Sequence, residues 1–175
     1  MTPIIEGVNR VDPSLTAFAT SSLRIGTTML RQSKVAPMEI LLVEDGLTDA
    51  RVTIFAIRRS RVHHRLSLVR TVHDAKRFLG RETIFGQAPR INLMLLDLML
   101  PDGSGLDLLQ TIRDHDELVL PTTVVLTASP DESMEKKCRE LGAIDFMKKP
   151  VREDDFMRVV RDHKRHMVED VAAAV

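Results

Sequence analysis

Three features of the chain predict an α/β fold with a five-stranded parallel sheet covered by helices on both faces. Strand-like and helix-like segments alternate five times from Ile40 onward. The strand-like segments are continuous apolar runs, such as Leu93-Met94-Leu95-Leu96, which is the pattern of strands buried on both faces. Nothing repeats at a fixed period, which excludes a solenoid.

The elements follow in order. Residues 40–43 form a short β-rich run, and 48–60 have helical spacing of apolar residues at Val52, Phe55 and Ala56. Residues 65–70 read as a strand through Leu66 and Leu68, and 71–79 as a helix through Val72, Ala75, Phe78 and Leu79. A loop or ragged helix end spans 80–89, followed by a strand over 91–97. Ser104-x-x-Asp107 opens a helix over 104–113 in the manner of a capping box. A strand over 122–127 leads to a helix over 131–141, with Glu132/Lys136 and Glu135/Arg139 at i,i+4 and Gly142 as its stop. The last strand spans 143–147. The final helix begins near Val151 and carries Phe156, Val159, Val160, His163 and Met167 on one face.

Composition narrows the function. The chain has 175 residues, 43% hydrophobic and 29% charged, which is ordinary for a globular domain with a proper core. With 25 basic and 25 acidic residues the formal net charge is zero, so the electrostatic footprint of a DNA-binding protein is missing. The purely apolar runs are far too short to span a membrane. Cys138 stands alone, so neither an intrachain disulfide nor a cysteine metal cluster is available, and a reducing cytoplasm fits. Residues 1–37 are rich in Ser and Thr and show no strand or long amphipathic pattern. They are expected to be a mobile extension; the second alternative is a docked short helix started by Asp12-Pro13, and a targeting peptide is a distant third. Met38, directly before the first strand, is a natural start, and the domain is expected to span 38–170 with a tail over 171–175.

The polar residues that end the strands carry the chemistry. The first strand ends in Glu44-Asp45, the third in Asp97, the fourth in Thr127 and the fifth in Lys149-Pro150. In a parallel sheet these gather at the carboxyl edge, where ligands bind in α/β proteins. Asp97 alone could be a loop cap, since Asp is frequent at turns. Three neighbouring carboxylates, however, raise one another's pKa, and a hard divalent cation such as Mg²⁺ relieves that repulsion. An ionised Asp97 can then act as nucleophile in aspartyl-phosphate chemistry. Lys149 and the cation would neutralise the transferring phosphoryl group. Thr127 offers a hydroxyl to a phosphoryl oxygen, Ala128 leaves room for the group, and Lys149-Pro150 suits a tight loop with a cis peptide.

Four motifs in this order resemble the response-regulator receiver domain. They are Leu41-Leu42-Val43-Glu44-Asp45; Leu95-Leu96-Asp97-Leu98-Met99-Leu100-Pro101 with Gly105; Val124-Val125-Leu126-Thr127-Ala128; and Gly142 through Phe146 to Lys149-Pro150. The resemblance covers about residues 38–168, with the family's separations of 30 positions from Asp97 to Thr127 and 22 from Thr127 to Lys149. It implies a flavodoxin-like strand order of 2-1-3-4-5. It also implies Asp97 as phosphoacceptor, and Mg²⁺ held by Asp45, by Glu44 through water, by Asp97 and by the backbone carbonyl of Met99. Thr127 and Lys149 would sense the phosphoryl group, and Phe146 would be the switch aromatic. Ala88-Pro89-Arg90-x-Asn92-Leu93 and His64-Arg65-Leu66 with Val69-Arg70 resemble the phytochrome-associated receivers. A bacteriophytochrome-type sensor histidine kinase is therefore the implied donor, and a homodimer through the fourth helix, fifth strand and fifth helix an implied assembly. Gly46, Met99 and Ser104 depart from the residues common at their positions without removing a phosphorylation residue.

Too little chain follows Pro150 for an effector domain, so the expectation is a stand-alone regulator working through protein contacts. One alternative is a phosphorylation-independent scaffold, which the intact set Asp45, Asp97, Thr127 and Lys149 argues against. Another is an aspartate-nucleophile phosphohydrolase, which usually carries a second Asp where this chain has Met99. No turnover on an external substrate is expected. Among the remaining residues, His63-His64 and His163/His166 are expected to be solvated rather than metal-binding. Cys138 is expected to pack with Met134 and Leu141.

Overall fold

The computed structural model describes residues 36–115, 118–129 and 131–172, with side chains described through Lys164. Expectations for the N-terminal extension fall on residues outside this set, as do those for the side chains of His166 and Met167. Five strands form one parallel sheet: β1 (Met38–Val43), β2 (His64–Val69), β3 (Leu93–Asp97), β4 (Thr122–Thr127) and β5 (Ala143–Lys148). Their spatial order is β2-β1-β3-β4-β5, the expected order. Five helices accompany them: α1 (Leu47–Arg59), α2 (Val72–Leu79), α3 (Gly105–Asp114), α4 (Glu132–Glu140) and α5 (Glu153–Ala172). The stretch read as a loop or ragged helix end contains a single 3-10 turn, Thr83–Phe85. Helix α5 runs two residues past the boundary expected at 170.

Alternation along the strands splits the core into two layers, because successive side chains leave a strand on opposite faces. Ile40, Leu42, Leu93, Leu95, Val124 and Leu126 meet α1 and α5 through Ala50, Ala56, Ile57, Phe156 and Val159. On the other face Leu41, Val43, Met94, Leu96 and Val125 meet α2, α3 and α4. Cys138 is fully buried in that second layer with Met134 and Leu141 packed nearby, as expected, and burial pushes its thiol pKa up.

Local signals set several helix ends. The Ser104–Asp107 capping box forms: the Ser104 hydroxyl accepts from the Leu106 N–H at 3.1 Å and Asp107 accepts from the Ser104 N–H at 2.9 Å. Asp131 caps α4 by accepting from the Ser133 N–H. After α4, Gly142 takes φ +98°, a conformation that favours glycine.

Two local expectations are corrected. Helix α1 turns a different stripe inward: Ala50, Thr53, Ala56, Ile57 and Ser60 are buried, while Phe55 is 62% and Val52 38% exposed. Small residues suit the side of a helix seated between a sheet and α5, and the periodicity alone allows either stripe. The i,i+4 pairs on α4 do not close. Arg139 instead donates to the Ile144 carbonyl at 3.1 Å and stacks over the Phe146 ring at 4.9 Å.

Candidate functional site

The carboxyl ends of β1, β3, β4 and β5 meet as the parallel topology requires, and the side chains converge unequally. Glu44, Asp45 and Asp97 each bring a carboxylate oxygen within 4.8 Å of the others. Glu44 is 1% and Asp97 7% exposed, and Asp45 lies nearer the surface. Lys149 follows β5 and precedes a cis Lys149–Pro150 bond, its N–H donating to the Thr127 carbonyl at 2.8 Å. Its ammonium reaches Asp97 Oδ2 at 2.5 Å, Glu44 Oε2 at 2.6 Å and Asp49 Oδ2 at 3.3 Å.

Backbone groups orient the carboxylates. The Met99 N–H donates to Asp97 Oδ1 at 3.0 Å, so both oxygens of Asp97 are engaged. The Met99 side chain is 82% exposed. The Gly46 N–H donates to Glu44 Oε1 at 3.1 Å. Arg70, at the end of β2, donates twice to the Asp45 carbonyl at 2.8 and 3.2 Å. Gly105 lets α3 approach the end of β3: a Cβ there would lie 2.5 Å from the Asp97 carbonyl oxygen, a clash with backbone that no rotamer relieves.

The electrostatics are those of a site with too few positive charges. Burial pushes the Glu44 pKa up, and the charge of Asp97 adds to the shift against the opposing effect of Lys149. For Lys149 burial works downward, but its contacts with the Asp97 and Glu44 carboxylates outweigh it and raise the pKa, so the ammonium stays charged. Glu44 Oε2 is fully buried and accepts no well-angled hydrogen bond; its short contact with Lys149 is an ion pair alone. Three oxygen donors around one incompletely satisfied carboxylate fit a hard divalent cation.

The Thr127 hydroxyl and the Phe146 ring have their partners away from the carboxylates. The Thr127 hydroxyl donates to the Ser129 carbonyl at 2.8 Å and accepts from the Ser129 N–H at 3.2 Å. Phe146 is half-buried against the second core layer under the Arg139 guanidinium. Asp49 is a neighbour that the sequence reading missed. Four positions after Asp45 and in the first turn of α1, it reads like any acid favoured by a helix N-terminus.

His163 is also corrected. It is not simply solvated, since its Nε2 lies 3.0 Å from Asp145 Oδ2, beside an Arg158–Asp145 ion pair at 2.6 Å.

Residues 40–161 match the family model described as the response regulator receiver domain. The chain belongs to this family. The receiver is 32% identical over 135 residues to "Response regulator Rcp1" of Synechocystis sp., covering 77% of this chain and 92% of Rcp1. A structure of Rcp1 in a Mn(2+)-bound form superposes with a TM-score of 0.61, covering 73% of the receiver and 92% of that chain at 32% identity. "Bacteriophytochrome response regulator RtBRR" gives a TM-score of 0.65 at 35% identity, covering 73% of the receiver and 78% of RtBRR. The phosphorylated cyanobacterial phytochrome response regulator RcpA gives 0.64 at 29% identity, over 77% and 96% of the two chains. As a receiver homologous to single-domain regulators, the protein belongs to phosphorylation-dependent two-component signalling. Among the described residues, no helix is long and apolar enough to cross a membrane.

Proposed function

We propose that the receiver is a single-domain regulator that accepts a phosphoryl group on Asp97 from a sensor histidine kinase. The observation that carries the reading is the buried carboxylate cluster, with one oxygen of Asp97 held by the Met99 N–H and the other by Lys149. A carboxylate oxygen of Asp97 attacks the phosphorus of the donor, the bond from phosphorus to the donor's nitrogen or oxygen breaks, and an acyl phosphate forms. The Met99 N–H fixes the rotation of the carboxylate, and Lys149 offsets charge on the incoming group. Glu44, Asp45 and Asp97, with the Met99 carbonyl, would hold Mg²⁺, which supplies charge neutralisation on the phosphoryl oxygens. The divalent metal named for the Rcp1 structure supports an ion at this cluster.

Phosphorylation adds roughly −1.5 to −2 charge, by analogy with other phosphoresidues. Thr127 would release Ser129 and turn its hydroxyl to the phosphoryl group, and Phe146 would follow, shifting two existing conformations of α4 and β5. The face made by α4, β5 and α5 is the surface on which this shift would be read, including by a second copy. Phytochrome-associated relatives support a bacteriophytochrome-type kinase as donor, and the proposed setting is the cytoplasm. Turnover on external phosphoesters is not part of the reading, because Met99 provides no acid or base beside Asp97.

Acetyl phosphate with Mg²⁺, followed by intact mass, tests the assignment. The expected result is a gain of about 80 Da, one phosphoryl group, on wild type and none on Asp97→Asn. No gain on wild type, or an equal gain on the variant, defeats it.

A further inference from the structure

Lys149 is claimed by more carboxylates than the phosphoryl chemistry uses. Its ammonium sits deep between Asp97 and Glu44, and a third acceptor, Asp49 Oδ2, stands 3.3 Å away on α1 with its side chain half-exposed at the mouth of the pocket. Among the described residues, Asp49 is the one carboxylate outside the inner cluster within ion-pair distance of that ammonium. Gly46 keeps this side open, since a Cβ there would lie 3.0 Å from Glu44 Oε1 and 3.9 Å from Asp49 Oδ2.

The inner position conflicts with occupancy of the cluster. A divalent cation in the cluster would compete with the ammonium for the Glu44 and Asp97 carboxylates, and two positive charges repel strongly at such separations. The Lys149 backbone is pinned to the Thr127 carbonyl, so the movement falls to its flexible stem. A displaced ammonium in a pocket largely closed to water needs an acceptor close at hand. We propose that Asp49 is a positioning residue that receives the Lys149 ammonium as a divalent cation enters the Glu44–Asp45–Asp97 cluster. The inference rests on the metal reading of that cluster given above.

Isothermal titration with Mg²⁺ alone, on the full chain, tests it through a double-mutant cycle. In the Lys149 background, Asp49→Asn raises the Mg²⁺ Kd roughly fivefold, within the usual range of coupling between contacting residues. Asp49→Ser, which also keeps a short polar residue in the first turn, does the same and guards against a folding artefact. Asp49→Glu restores binding to within about twofold of wild type, because the carboxylate is returned. In the Lys149→Gln background, Asp49→Asn changes the Kd by less than about twofold. Equal losses in both backgrounds would mean that Asp49 acts only as an added negative charge, and would overturn the inference. So would unchanged affinity in the Lys149 background. A wild-type chain that binds no Mg²⁺ defeats the underlying metal reading as well, whereas the mass test on Asp97 reports on phosphorylation separately.

Discussion

Two carboxylate sites lie on the same molecule and treat charge in opposite ways. At the carboxyl edge of the sheet, Glu44, Asp45 and Asp97 lie together, one ammonium pairs with Glu44 and Asp97, and Glu44 keeps an oxygen without a hydrogen bond. On β5, Asp145 stands alone between two nitrogen bases: Arg158 reaches Oδ2 at 2.6 Å, His163 lies 3.0 Å from the same oxygen, and the Phe146 N–H donates to Oδ1 at 2.7 Å. The difference separates a site from a brace. A carboxylate fully supplied with donors holds two elements together, here β5 and α5. A carboxylate group left short of positive charge is poised to take up a cation.

The largest expected effect breaks the comparison if the two sites respond alike. At a Mg²⁺ concentration near 100 times its Kd, wild-type unfolding free energy rises by about 2.7 kcal/mol. Asp45→Asn loses most of this gain, and Asp145→Asn keeps it. Denaturant titrations with Mg²⁺ and with EDTA read both variants, and a Mg²⁺ response lost equally in Asp145→Asn would erase the distinction.

A smaller effect concerns the brace. Asp145→Asn lowers stability by about 1–2 kcal/mol with or without Mg²⁺, less than a fully buried pair would give because Arg158 is partly exposed. Burial alone would raise the Asp145 carboxyl, but Arg158, the Phe146 N–H and His163 together hold its pKa below the usual range. Its stabilising contribution is therefore complete above the ordinary carboxyl range near 4 and is lost as pH falls through the lower folded value. Glu44 has the opposite sign. Its raised pKa makes its contribution complete below the ordinary Glu range and lost as pH rises through the folded value. Stability measured from pH 3 to 7 should show a shallower acid-side decline in Asp145→Asn, with Asp102 and Asp131 still contributing; an unchanged profile would remove Asp145 from the account.

The smallest effect sharpens the contrast. Without metal, Asp45→Asn raises stability by roughly 1 kcal/mol. Two bare charges 4 Å apart would repel by about 4 kcal/mol at an effective dielectric of 20, but Lys149 already offsets part of the cluster's charge. Equilibrium unfolding in EDTA checks the sign, and destabilisation would show that Asp45 is held by bonds rather than strained by neighbours.

Much of this was legible in the chain. The uninterrupted apolar runs at 93–96 and 122–126 announced strands buried on both faces, and the Ser104–Asp107 spacing announced a cap that forms. The polar strand ends announced the edge at which Glu44, Asp45, Asp97 and Lys149 meet. Less was legible where two local answers were equally good. The period of α1 allowed Val52 and Phe55 to face inward, and packing against the sheet and α5 selected Ala50, Thr53 and Ile57. Arg139 had a plausible partner four residues back and was drawn instead to β5.

The sequence by itself determined the parallel sheet, the residue types at its carboxyl edge and the family, because these are written in short-range patterning and in motif order. Only the tertiary structure decided how charge is shared. The Lys149 contact with Asp49 spans 100 positions and its contact with Asp97 spans 52, while Asp145 finds His163 on another element. Such pairings depend on strand order and helix placement, to which local propensity is blind. Lys149, a matching residue in a motif, is in the folded chain an ammonium divided among three carboxylates.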